Sequence, residues 1–121
     1  MRMTLPAVAA CCLLAAAPAT ADTLTLDVNG VERSARVYPG KRADREPSPL
    51  VLVFHGLGDN ERNFANIVDF HRDWREATVV YPAGLDRADR DGMPGWHGFR
   101  DNDANDDLAF VDRLLETLEA R

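Results

Sequence analysis

Pro49-Leu50-Val51-Leu52-Val53-Phe54-His55-Gly56-Leu57-Gly58-Asp59-Asn60 is the stretch on which the reading of this chain turns. Residues 50–54 are all apolar, a run too short for a globular helix and the right length for a strand buried on both faces. The run stops at His55. Two glycines then let the backbone turn sharply and leave its N–H groups open to a ligand. In open parallel sheets ligands bind beyond the carboxyl ends of the strands, so residues 55–58 are the first place to look for a site.

Upstream, Thr23-Leu24-Thr25-Leu26-Asp27-Val28 alternates apolar with polar residues, the pattern of a strand with one wet face. Asn29-Gly30 is the preferred tight-turn dipeptide, and Val31, Ala35 and Val37 continue the alternation to Tyr38, which predicts a hairpin. Residues 39–49 are rich in Pro and charge and read as an exposed loop. Downstream, Asn60 is placed to cap a helix in which Phe64, Ile67, Val68, His71 and Trp74 share a stripe expected to face the core, with a break near Asp69. Ala77-Thr78-Val79-Val80-Tyr81-Pro82 is a further strand. A strand, helix, strand succession runs the two strands parallel with a right-handed crossover, so the fold class is α/β.

Residues 85–105 lack any period and read as a long loop. From Asp106 the pattern is helical: Leu108, Val111, Leu114, Leu115 and Leu118 form an apolar face, with Asp106 or Asp107 as cap. In a βαβ series that helix leads to another parallel strand, and no such strand follows in these 121 residues. The expectation is an incomplete parallel sheet with an open edge and an uncovered stripe at Val111, Leu114, Leu115 and Leu118, prone to self-association.

Composition narrows the partners. Met1-Arg2, an apolar segment over residues 5–17 and Ala19-Thr20-Ala21 read as a cleaved signal peptide, 1–21, leaving one domain, 22–121, that is secreted or periplasmic. Val8-Ala9-Ala10-Cys11 offers a competing lipobox reading, though the apolar stretch before Cys11 is very short. Cys11 and Cys12 both fall in the removed segment, so no disulfide supports the mature fold. Without Arg2 the chain carries 13 basic against 20 acidic residues, which argues against nucleic acid and anionic membranes.

Of the three histidines, His55 belongs to the glycine loop, His71 reads as a packed core residue and His97 as a surface residue beside Trp96. Asp101, Asp103, Asn105 and Asp112 imitate the spacing of a calcium loop. Asp106 stands where the turn glycine belongs, however, and the last ligand is Asp rather than Glu, so the acids suit a helix N-terminus better. No metal and no cofactor is expected.

Taken together, Gly30-Val31-Glu32-Arg33 through Tyr38-Pro39, residues 49–60, Val79-Val80-Tyr81-Pro82-Ala83-Gly84, Trp96 and Asp106-Asp107-Leu108-Ala109-Phe110-Val111 resemble successive landmarks of secreted α/β-hydrolase esterases, the polyhydroxybutyrate depolymerases and their feruloyl esterase relatives. The resemblance covers residues 22–121. It implies the N-terminal portion of an α/β-hydrolase, with His55, Gly56, Leu57 and Gly58 as oxyanion-hole loop and Trp96 as a substrate-side wall. It also implies a Gly-x-Ser-x-Gly elbow, then an acid and a histidine, further along the chain. Ser34 and Ser48 are the only serines here and neither is flanked by glycines, so nucleophile, acid and base have no candidates. The resemblance thus implies an ester substrate for a complete parent enzyme and an inactive isolated chain. Two other readings stand beside it: an exported, non-catalytic ligand-binding domain using Trp96 and the glycine loop, or part of a phospholipase, carboxylesterase or peptidase of the same fold.

Overall fold

A computed structural model of the chain describes residues 20–97 and 106–120. Residues 1–19 of the expected signal segment, with both cysteines, and Asp101, Asp103 and Asn105 of the acidic run lie outside them.

β1 (Asp22–Val28) and β2 (Val31–Tyr38) form the expected antiparallel hairpin, with Val28 opposite Val31. Asn29 and Gly30 both take positive φ, 53° and 82°, as a two-residue turn matched to strand twist requires. Asp27 Oδ1 accepts the Gly30 N–H at 3.1 Å. β3 (Leu50–Leu52) and β4 (Thr78–Pro82) are parallel, joined through α1 (Glu61–Val68) and α2 (Phe70–Asp73), and β4 pairs antiparallel with β2. The sheet order is β1-β2-β4-β3.

β3 is not buried on both faces. Leu50 is exposed and Val51 and Leu52 are only half-buried, because β3 is an edge strand with β4 on one side and no strand on the other among the described residues. The doubly buried strand is β4. Its Val79 and Tyr81 face Ala65 of α1 together with Ala77 and Tyr38, while Val80 faces Leu24, Val28, Ala35 and Val37 on the other side.

That second face is covered by α3 (Asp106–Glu119), which corrects the expectation of an uncovered apolar stripe on this helix. Phe110 and Leu114 are fully buried in the layer with Leu24, Ala35 and Val80, and Ala109 and Leu118 pack at its margin. Of the expected stripe, Leu114 and the margin residue Leu118 are covered by the layer the hairpin forms, while Val111 and Leu115 are half-buried. Its bounds also move: Phe110 belongs to it, and Leu108 points to solvent at 64 % exposure.

Asn60 caps α1 as expected, its side chain accepting from the Arg62 and Asn63 N–H groups. The break at Asp69 is real, with φ of 58°, and it decides what the stripe does. A left-handed residue between α1 and α2 redirects the second helix, so residues 70–74 do not continue the stripe of α1, and within α1 Ile67 itself faces solvent. Ala65 and His71 are buried, Phe64 is half-buried, and Ile67 and Trp74 are exposed. Residues 85–97 are not a plain loop either. β5 (Leu85–Arg87), a 3₁₀ turn (Ala88–Arg90) and β6 (Met93–Gly95) make a small hairpin turning through Asp91 and Gly92. Among the described residues, no helix is long and apolar enough to cross a membrane.

Candidate functional site

The loop after β3 is built from the sheet outward. The Val53 N–H still bonds the Val80 carbonyl at 2.8 Å, and the chain then leaves the sheet with Phe54 exposed and His55 buried. Beside it β4 ends in Pro82, and the Gly84 N–H donates to His55 Nε2 at 2.9 Å. His55 Nδ1 lies 2.8 Å from the Gly56 carbonyl. These two partners settle the protonation state. An N–H can only donate to Nε2 and a carbonyl can only accept from Nδ1, so His55 is neutral with its proton on Nδ1. Its lone pair is already committed, which makes it a brace for the loop rather than a base.

Glycine at position 84 is demanded by close approach. A Cβ there would stand 2.7 Å from the Gly95 carbonyl oxygen, so only a bare backbone lets β6 sit against the end of β4. β6 in turn lines the loop. The Gly58 N–H donates to the Pro94 carbonyl at 2.8 Å, and a Cβ on Gly95 would stand 2.9 Å from Leu57 Cδ1. Trp96 Nε1 donates to the His55 carbonyl at 2.8 Å, and its ring meets Phe54 edge-on at 5.1 Å. Residues 55–58 and Trp96 are thus brought together, with the Trp96 N–H spent on holding the loop.

What remains open is specific. The Asp59 N–H bonds the Gly56 carbonyl, and the Asp59 carboxylate accepts from Asn63 Nδ2 and the Asn60 N–H, contacts that hold its pKa below the usual carboxylate value. The N–H groups of Gly56 and Leu57 have no hydrogen-bond partner among the described residues. Two unengaged donors on a loop whose other polar groups are tied down suit an anionic oxygen. Phe54, Leu57 and Met93 give the surroundings an exposed apolar surface.

The serines stand elsewhere. Ser34 lies in β2, where its carbonyl accepts the Ala83 N–H, and Ser48 Oγ pairs with Thr78 Oγ1 at 2.8 Å at the start of β4. Among the described residues no serine hydroxyl bonds an imidazole. A cavity of about 560 Å³, lined by Pro39, Ser48, Leu50, Thr78 and Leu118, is at the foot of the sheet, where β3 and β4 begin, and so at the end opposite His55. His71 is packed, stacked on Tyr38 at 3.6 Å and bonded to the Tyr81 hydroxyl at 3.2 Å. Among the described residues no cluster of potential metal ligands occurs.

Arg33 has the same strand parity as Ala35 and Val37 and so belongs to the core face. Its side chain is 1 % exposed, paired with Asp107 Oδ1 at 2.8 Å and stacked 4.2 Å over the Phe110 ring. Asp107 Oδ2 takes the His97 N–H at 2.6 Å and His97 Nδ1 at 3.1 Å. Burial pushes the Asp107 pKa up, but the His97 N–H and Arg33 outweigh it and hold the carboxyl below its usual range. Asp107 is therefore engaged with Arg33 and His97 through both carboxylate oxygens.

No protein-family model matches the sequence, and no curated protein matches it. Among solved structures it is similar to an enantioselective mutant of epoxide hydrolase from Aspergillus niger, generated by directed evolution. The TM-score is 0.53 at 18% identity, over 79% of this chain and 24% of that one. The chain has part of an α/β-hydrolase fold. It spans about a quarter of the length of that enzyme, and at this identity the likeness speaks to the fold alone.

Proposed function

We propose that these residues supply the oxyanion-stabilising part of an exported serine esterase similar to polyhydroxybutyrate depolymerases and feruloyl esterases. The observation that carries the proposal is the pair of unengaged N–H groups on Gly56 and Leu57, on a loop braced by neutral His55, Gly84 and Trp96. Attack on an ester drives negative charge onto the former carbonyl oxygen, and one fixed donor aimed at that oxygen lowers the barrier by about 3–4 kcal/mol. The apolar surround of Phe54, Leu57 and Met93 favours an apolar acyl or aryl group over a charged one.

No serine among these residues occupies an elbow, so the acyl-enzyme route needs a nucleophile from beyond them. Sequencing the genomic DNA downstream of the Arg121 codon tests this: a Gly-x-Ser-x-Gly segment in any frame is the expected result, and its absence overturns the proposal. A second measurement is independent of the genome. The purified 121-residue chain should show no p-nitrophenol burst with p-nitrophenyl butyrate and no sensitivity to a serine-directed inhibitor. An inhibitor-sensitive burst would place the nucleophile within the chain.

A further inference from the structure

The three histidines differ in what their rings have left to give. Both nitrogens of His55 are occupied, by the Gly56 carbonyl and the Gly84 N–H, and the His71 ring is buried, with Nδ1 on the Tyr81 hydroxyl and Nε2 3.4 Å from Asp69 Oδ1. His97 combines a ring nitrogen, Nε2, without a partner among the described residues with a side chain that is 35 % exposed.

The other nitrogen is held in the way a base requires. Asp107 Oδ2 receives Nδ1 at 3.1 Å and the backbone N–H of the same residue at 2.6 Å, so in the neutral ring the proton sits on Nδ1 and the lone pair on Nε2 faces outward. Asp107 cannot swing away, because its Oδ1 is bound at 2.8 Å by Arg33, itself buried under Phe110. His97 directly follows Trp96, whose indole is bonded to the His55 carbonyl, so the dyad is one residue along the chain from the side chain that holds the loop bearing the Gly56 and Leu57 donors.

We propose that His97, oriented by Asp107, is a general base that adds water directly to small activated carboxylic esters held at the 55–58 loop, with no acyl-enzyme. Nε2 takes a proton from water as the water oxygen bonds to the acyl carbon, and the carbonyl π electrons move onto oxygen against the loop N–H groups. Collapse restores the C=O bond and breaks the bond to the alcohol or phenol oxygen, which leaves with the proton held on Nε2. Acid and alcohol are the products, and no other reactant enters. The inference rests on reading residues 55–58 as an oxyanion loop, and concerns a slower reaction than the serine chemistry of a complete enzyme.

The test is hydrolysis of p-nitrophenyl acetate by the purified 121-residue chain, compared with 4-methylimidazole at equal concentration. General-base catalysis of this kind contributes roughly a hundredfold or more, and that excess over 4-methylimidazole is expected. His97→Gln should lose it, added imidazole should restore part of it in His97→Gly, and Ser34→Ala with Ser48→Ala should leave it unchanged. Asp107 is a positioning residue, so Asp107→Asn, checked for folding by circular dichroism, should lower kcat and spare KM. A wild-type rate no higher than that of 4-methylimidazole, or a His97→Gln variant as fast as wild type, overturns the proposal. An inhibitor-sensitive burst that survives His97→Gln defeats this proposal and the serine assignment together, whereas a His97→Gln variant as fast as wild type without any burst defeats this one alone.

Discussion

Removing Asp107 should destabilise the chain more than removing Arg33, although the two are partners in one ion pair. The Arg33 side chain is 1 % exposed, and among the described residues its Nε and Nη1 have no hydrogen-bond partner and Nη2 reaches only the Ala83 carbonyl, at 3.4 Å, besides Asp107. In Asp107→Ala the guanidinium stays buried with its charge unanswered, a situation that costs about 3–5 kcal/mol. In Arg33→Met the carboxylate is 13 % exposed and keeps the His97 N–H, so the loss is smaller, about 1–3 kcal/mol including the contact with Phe110. A domain of this size has a total of about 5–15 kcal/mol, so the first variant sits near the unfolding threshold. Urea titration followed by tryptophan fluorescence would read the difference. With a slope of about 1–3 kcal/mol per molar urea, Asp107→Ala should move the midpoint down by about 1 M or more. The double variant Arg33→Met/Asp107→Leu should recover much of the loss, since a buried pair replaced by apolar residues of similar volume is often neutral. If Asp107→Ala stayed within about 0.5 kcal/mol of wild type, or fell below Arg33→Met in cost, the account of Arg33 as a buried cation dependent on one carboxylate would be wrong.

The same carboxylate sets an acid limit. Because the folded-state pKa of Asp107 lies below its unfolded value, its contribution is present above the ordinary carboxylate pKa and is lost as pH falls through the lower folded value, and Asp107→Asn should flatten that part of a stability–pH curve. His71 acts at higher pH. Burial pushes its pKa down against the pull of Asp69, so the unfolded chain takes up protons first as pH drops below about 6.5; stability should decline there, and His71→Phe should remove the decline in thermal melts. Gly84→Ala should cost about 1–3 kcal/mol by driving a methyl against the Gly95 backbone, and should release the His55 ring, seen as a shift of its imidazole resonances; an unchanged melting point would contradict the close approach. The open edge of β3, with Leu50 exposed, should let the chain associate with concentration in light scattering, and Leu50→Lys should shift it toward monomer; a monomer at every concentration would count against edge pairing.

Local chemistry made much of this fold readable in one dimension. Asn29-Gly30 between alternating runs specifies a two-residue turn, Asn60 specifies a helix start, and an apolar run ending in His-Gly-Leu-Gly specifies a strand that stops at a loop, because each depends on residues close together in the chain. Which faces are covered does not. The burial of β4 rather than β3, and the seating of Phe110 and Leu114 on the hairpin, follow from the order in which strands pair, and a period cannot report that. The β5–β6 hairpin gave no alternation because it is held by bare-backbone contact at Gly84 and by Arg87 on the Trp96 carbonyl. The sequence by itself placed the glycine loop and showed that no serine here is set in an elbow. Only the tertiary structure joined Arg33, Asp107 and His97, from positions 33, 97 and 107, and committed the His55 ring to bracing, since charges and lone pairs find partners through space rather than along the chain.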